Sequence, residues 1–177
     1  MPILKSINAK NSRFLLILMM IIPWISLPLV GRSTIKRFLP ATVFISLVVK
    51  IMNIIAEKRK WWWFYTSVHP KINGDIPFIL GPYFICSLWV LKMTYGRFPL
   101  FLITNIIFHL LFAFPGIKFL KNLGIASLVR ISSIQLVFIL MIRAVLLYSF
   151  QFAKENLNFR FIPFREIQKK SANKEIL

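Results

Sequence analysis

The sequence predicts an all-α fold: a polytopic membrane helical bundle of about five hydrophobic segments, with one interfacial amphipathic segment. Three observations predict it. The 177-residue chain is 58% hydrophobic, with a mean hydropathy of +0.72. It carries 23 Lys and Arg against five Asp and Glu, a formal charge of +18. Its apolar residues also gather into five runs, at 14–30, 38–56, 76–95, 98–115 and 134–153. A spanning helix needs about 20 such residues, and roughly 17 to 25 are tolerated. A soluble domain would need roughly a quarter of its residues charged, in both signs, to cover its surface. Only 16% are charged here. A disordered polybasic chain is excluded in turn by the apolar runs. Helix is the expected state of each run, because an isolated strand cannot satisfy its backbone in lipid and a barrel reads as short alternating segments.

The first run carries Pro23 and Pro28, which remove backbone donors and invite a kink. Lys5, Lys10 and Arg13 precede it, as in a signal peptide, but Leu27-Pro28-Leu29 is a poor cleavage motif. A retained helix or a re-entrant hairpin is therefore expected. In the second run Lys50 lies about two turns from the end, within snorkelling reach of the interface. The third opens on Gly74-Asp75-Ile76-Pro77, which reads as a turn followed by a helix start. Asp75 is expected to cap that helix, with Pro77 in its first turn. Lys92, near the far end, is expected to snorkel. Little more than Gly96 and Arg97 joins the third and fourth runs, which predicts an antiparallel hairpin.

Residues 116–133 place Ile117, Leu120, Leu128 and Ile131 at helix-like intervals broken by Gly124, so a helix lying in the interface is expected. The fifth run carries Arg143 at its midpoint. Residues 1–153 thus form one membrane-embedded helical domain, and 154–177 a basic cytoplasmic tail. The single cysteine, Cys86, excludes a disulfide within the chain.

The densest feature is Glu57-Lys58-Arg59-Lys60-Trp61-Trp62-Trp63-Phe64-Tyr65. Trp rings sit at headgroup depth and cations pair with lipid phosphates, so Lys58, Arg59, Lys60, Trp61, Trp62 and Trp63 are expected to contact the interface. The same residues can hold an anionic or sugar-bearing headgroup. Basic residues among aromatics also occur in nucleic-acid binders. Between two spans, however, anionic lipid is the nearer polyanion, and no nucleic-acid partner is expected.

The stretch EKRKWWWFYTSVHPKINGDIPFILGPYF, with LWVLKMTYG and LGIASLVR after it, resembles a family of small uncharacterised multi-pass membrane proteins of spore-forming Gram-positive bacteria. The resemblance covers most of residues 15–153. It implies topology and a bacterial plasma-membrane location, and it implies no chemistry.

Orientation follows from where Lys and Arg collect. With five spans, each side of the membrane collects ten, so the rule does not decide. A re-entrant first segment would move residues 1–13 to the other side and give 13 against seven. A cytoplasmic C-terminus and an external 57–75 loop are expected on that basis.

Few residues point to chemistry. Glu57, Asp75 and His69 offer an acid–base set in one loop, with no nucleophile motif beside it. Two His and one Cys do not make a zinc site, so no metal or other cofactor is expected. Arg143 is the sharper signal. A charged residue at mid-span costs about 2.5–3.5 kcal/mol on insertion scales and should face the bundle interior. Its candidate partners are backbone carbonyls, Asn105, Gln135, water or a bound anion. Asn105 and His109, four apart on one helix face, complete an expected polar cluster with it.

The sequence therefore favours a non-enzymatic integral membrane protein, structural, accessory or partner-binding, with a homo-oligomer or another membrane protein as the possible partner. The alternatives are a small anion- or lipid-handling transporter or channel subunit, and a membrane enzyme acting on lipid headgroups.

Overall fold

The computed structural model describes residues 9–68 and 73–160. Five helices are long and apolar enough to cross a membrane: Ser12–Val30, Arg32–Lys58, Ile76–Thr94, Phe98–Asn122 and Ser133–Leu157. They form an all-α bundle, and the chain is a multi-pass membrane protein. The outward faces of the helices are apolar, as in Leu47 and Ile51 on the second span, Ile103 and Ile107 on the fourth, and Phe138 and Ile142 on the fifth. A helix apolar nearly all round has no aqueous face to present, and lipid is the solvent that suits it.

The first span comprises α1 (Ala9–Ile25) and α2 (Leu27–Val30), bent where Pro23 interrupts the ladder and Ser26 Oγ donates to the Pro23 carbonyl at 2.7 Å. Of the two expected forms, the retained helix is the one present, and the re-entrant hairpin is not. Ser12 donates to the Leu123 carbonyl at one end of the bundle, and the Leu29 carbonyl receives Lys92 Nζ at the other. This span therefore runs the full length of its neighbours. Gly31, at φ +87°, then reverses the chain in one residue, a conformation open to glycine at little cost.

The second span is α3 (Arg32–Lys58). Its inward stripe is Ala41, Ile45, Val49, Asn53 and Ala56, spaced by three and four residues. It packs along α8 (Ser133–Arg160) and ends in a loop containing β1 (Trp62–Phe64).

The third span begins with α4 (Ile76–Phe78), passes through a π-helical turn at Ile79–Tyr83, and continues as α5 (Phe84–Thr94). The turn contains Pro82. The Phe84 amide bonds back to the Ile79 carbonyl, which leaves Leu80 without its usual partner. Trp24 Nε1 supplies one at 3.0 Å. A proline within a span is tolerated when a neighbouring helix re-satisfies the freed backbone in this way.

The fourth span repeats the device: α6 (Phe98–Leu111), a π-helical turn at Phe112–Gly116 containing Pro115, and α7 (Ile117–Asn122). As expected, α5 and α6 form a hairpin across Gly96 and Arg97.

The stretch 116–133, expected as one interfacial helix, divides instead. Its first part extends the fourth span as α7, and past Gly124 it becomes β2 (Ala126–Leu128). This strand pairs antiparallel with β1, Trp62 opposite Leu128 and Phe64 opposite Ala126. Main-chain bonds from Tyr65 to Ile125 and from Val129 to Trp61 extend the ladder at both ends. Two three-residue strands would be marginal alone, and here they join apolar clusters that hold Leu16, Ala56, Phe78, Leu120 and Leu136, one from each span.

At the other end, Arg37 grips Glu155 through two bonds of 2.6 and 2.9 Å, and Tyr148 packs among Tyr95, Phe98 and Phe101. Of the basic tail, residues up to 160 continue α8 and the rest lie outside the described residues.

Candidate functional site

One polar group, Lys50, Asn53, Asp75 and Arg143, lies toward the sheet end of the bundle. Lys50 and Asn53, three apart on α3, share a face. Lys50 Nζ lies 2.8 and 3.0 Å from the two carboxylate oxygens of Asp75, and Asn53 Nδ2 donates to one of them at 3.1 Å. Asp75 is 1% exposed. Its expected capping role is not met, since the side chain makes no cap hydrogen bond to the helix it precedes. A carboxylate buried this deeply needs a charge partner more than a helix needs a cap, and Lys50 is within reach. Lys50 is thereby held, where free snorkelling was expected. Lys92 does snorkel, resting over Trp89 with Nζ on the Leu29 carbonyl at 2.8 Å.

Arg143 sits ten residues into α8 and is 5% exposed. Helical side chains lean toward their own N-terminus, so the guanidinium reaches toward the sheet end. There Nη2 donates to Asn53 Oδ1 at 3.3 Å, and the group lies 5.7 Å from the centre of the Trp62 ring. Asn53 therefore links the ion pair to Arg143, donating to one and accepting from the other. Neither Asn105 nor Gln135 is the partner. Asn105 Nδ2 donates to Phe101 on its own helix, and Gln135 Oε1 accepts from the Ser132 amide. His109 lies beside Arg143, facing the same cavity. Among the described residues, Arg143 Nε and His109 Nδ1 are buried without a hydrogen-bond partner.

Trp62 also departs from expectation. The strand alternation turns it inward, 7% exposed, while Trp63 faces out at 46%. Trp63, Lys58, Arg59 and Lys60 are exposed. Trp61 is half-buried against Trp62, with Arg59 over its ring. Of the acid–base set expected in this loop, Asp75 is committed to Lys50, and His69 lies outside the described residues.

Between these groups is a cavity of about 290 Å³. Asn53, Arg143, Asn105 and His109 supply its polar side. Val90, Leu140, Leu147 and Phe78 supply much of its apolar wall, and Trp62, Ala126 and Leu128 of the sheet close one end. Both π-helical turns contribute, through Ile79, Tyr83 and Phe112. The exposed residues of the lining, Cys86, Phe108 and Phe112, place its mouth between the third and fourth spans, at mid-span depth.

The sequence pointed to Arg143, His109 and Asn105, and all three line one cavity. It missed Asn53, Lys50 and the inward Trp62. A signal for the first two was present: a cation and an amide three apart within an apolar run mark one polar helix face.

No protein-family model matches the chain, and neither does any curated protein or solved structure. The class that fold and site define is a five-span helical membrane protein with a polar-ended cavity inside its bundle.

Proposed function

We propose that the chain is a non-enzymatic integral membrane protein of a bacterial plasma membrane, and that it holds a lipid-like molecule inside its bundle. The observation that carries this reading is the 290 Å³ cavity, apolar over most of its wall, polar at one side and open between two spans. Small-molecule sites are typically concave and apolar with a few convergent polar groups. A mouth at mid-span depth meets hydrocarbon, so what enters comes from the bilayer. The commitment of Asp75 to Lys50 favours binding over headgroup hydrolysis, because a carboxylate held by an ammonium is a poor general base.

Ala144 lies on the cavity wall and is 4% exposed. Ala144→Phe should fill the space and reduce the lipid that co-purifies with the protein, read by mass spectrometry of the detergent-extracted chain. Undiminished lipid in a folded Ala144→Phe variant would sink the proposal.

The proposed orientation places the tail in the cytoplasm and the sheet outside. Each end of the bundle carries ten Lys and Arg, but the tail after residue 153 holds six of them, the largest single block. A cytoplasm-active reporter fused to the C-terminus should be active. If only a reporter requiring export works there, the orientation is reversed.

A further inference from the structure

We infer that Arg143 and His109 form the head end of a site for a single-chain anionic amphiphile, a carboxylate or phosphate monoester whose tail fills the apolar part of the cavity. This rests on the reading above and adds the ligand's charge and its number of chains.

The charge comes from a cation without an ion pair. Lys50, Asp75, Glu57 and Arg143 all lie toward this end of the bundle, and among the described residues Arg143 has no carboxylate within ion-pair distance. Asp75 uses both oxygens on Lys50 and one again on Asn53. Arg143 is therefore the cation here that no described carboxylate touches. The other described acids do not supply its counter-ion. Glu155 is held by Arg37 at the opposite end, and Glu57 has Asp75 and Lys50 as its charged neighbours. Arg143 has one long hydrogen bond, to a neutral amide, and a Trp ring on one side. Its Nε is buried without a partner in the wall of a cavity. A guanidinium presents donors in a fork that matches a carboxylate or phosphate. His109 lines the same cavity beside it.

The chain number comes from size. A dry cavity of about 150 Å³ takes one benzene. At about 290 Å³ this cavity encloses one hydrocarbon segment and a small head, so a second acyl chain would have to lie outside its mouth, and a single-chain ligand fits it best. The source comes from the mouth: Cys86, Phe108 and Phe112 face hydrocarbon, which an amphiphile crosses and a free inorganic anion does not.

The test uses the full chain in phosphatidylcholine nanodiscs. Binding is read as quenching of Trp62, taken as the difference between the native chain and a Trp62→Phe variant. The quenchers are bromine-labelled decanoate, decyl phosphate and decanol, with inorganic phosphate as competitor. Decanoate and decyl phosphate should quench saturably and at least about tenfold more tightly than decanol, the worth of one charge-assisted contact. Inorganic phosphate should displace neither. Arg143→Gln should lower decanoate to the affinity of decanol. Should that variant fail to fold, the acid–alcohol comparison in the native chain decides alone. Equal affinity for decanoate and decanol overturns the anionic head and leaves a neutral lipid cavity standing. Displacement by inorganic phosphate overturns the amphiphile in favour of a small-anion site. Absence of saturable quenching by all three probes removes the cavity reading itself.

Discussion

Asp75→Asn is expected to cost about 3 kcal/mol of stability, the low end of what breaking a buried ion pair costs, because Lys50 keeps some contact with its surroundings. The Asp75 side chain is 1% exposed and that of Lys50 is 29% exposed. An amide replaces an oxygen that accepts with an NH₂ that donates, and turns it toward an ammonium already 3.0 Å away or less. Lys50 then has no carboxylate within ion-pair distance, and only the more distant Glu57 remains near it. The amide keeps one accepting oxygen where the carboxylate had two, so Lys50 and Asn53 compete for it and the hold on Asn53, which receives Arg143, is loosened. Lys50→Met alone should be as harmful, since it leaves the buried carboxylate with one amide. Lys50→Met combined with Asp75→Leu should recover most of the loss, because it removes both charges together. Denaturant or thermal unfolding in a fixed detergent measures all three. If Asp75→Asn stays within about 0.5 kcal/mol of the native chain, the ion pair is not a structural contact.

Gly81→Val is expected to push the first span away from the bundle. A side chain at residue 81 would place its first carbon 2.7 Å from Met20 Cα and 2.8 Å from the Met19 carbonyl oxygen. Both are main-chain atoms of α1, so no rotamer change relieves the overlap. Overpacking of this kind costs about 1–3 kcal/mol. The shift should also break the bond from Trp24 Nε1 to the Leu80 carbonyl and that from Trp89 Nε1 to Ser26 Oγ. The readouts are a red-shifted Trp emission and faster proteolysis after α1, with the remaining spans still assembled. Native emission and native protease resistance in Gly81→Val would show that the two helices do not meet at residue 81.

The five spans were legible because a bilayer imposes a length, and five runs of about that length stand apart in the chain. The hairpin across Gly96 and Arg97 was legible because so short a link leaves helices no other arrangement. The polar interior was half legible. Arg143 announced itself by depth alone, and His109 and Asn105 by spacing on one helix. The partners were hidden, because Lys50 and Asp75 are 25 residues apart on different elements and no periodicity says which helix faces meet. Asp75 was harder still, since its position just before a helix reads as a cap by every local rule. The sheet escaped because three residues of Trp-Trp-Phe and three of Ala-Ser-Leu carry no alternation strong enough to read. That omission turned Trp62 the wrong way, from the lipid surface to the wall of the cavity.

The β1–β2 ladder also sets a timetable for biogenesis. Trp62–Phe64 leaves the ribosome after two spans, whereas Ala126–Leu128 follows only after four. Until then the first strand has an unpaired edge and the cavity no cover. Arg143 comes later still, on the fifth span, and the amide that receives it is already in place on the second. Helices that insert separately and associate afterwards permit this order. The last helix therefore enters the membrane carrying a charge whose docking site was synthesised first. Its arrival completes both the polar relay and the chamber, so a chain halted before residue 133 would be inserted in the membrane without being assembled.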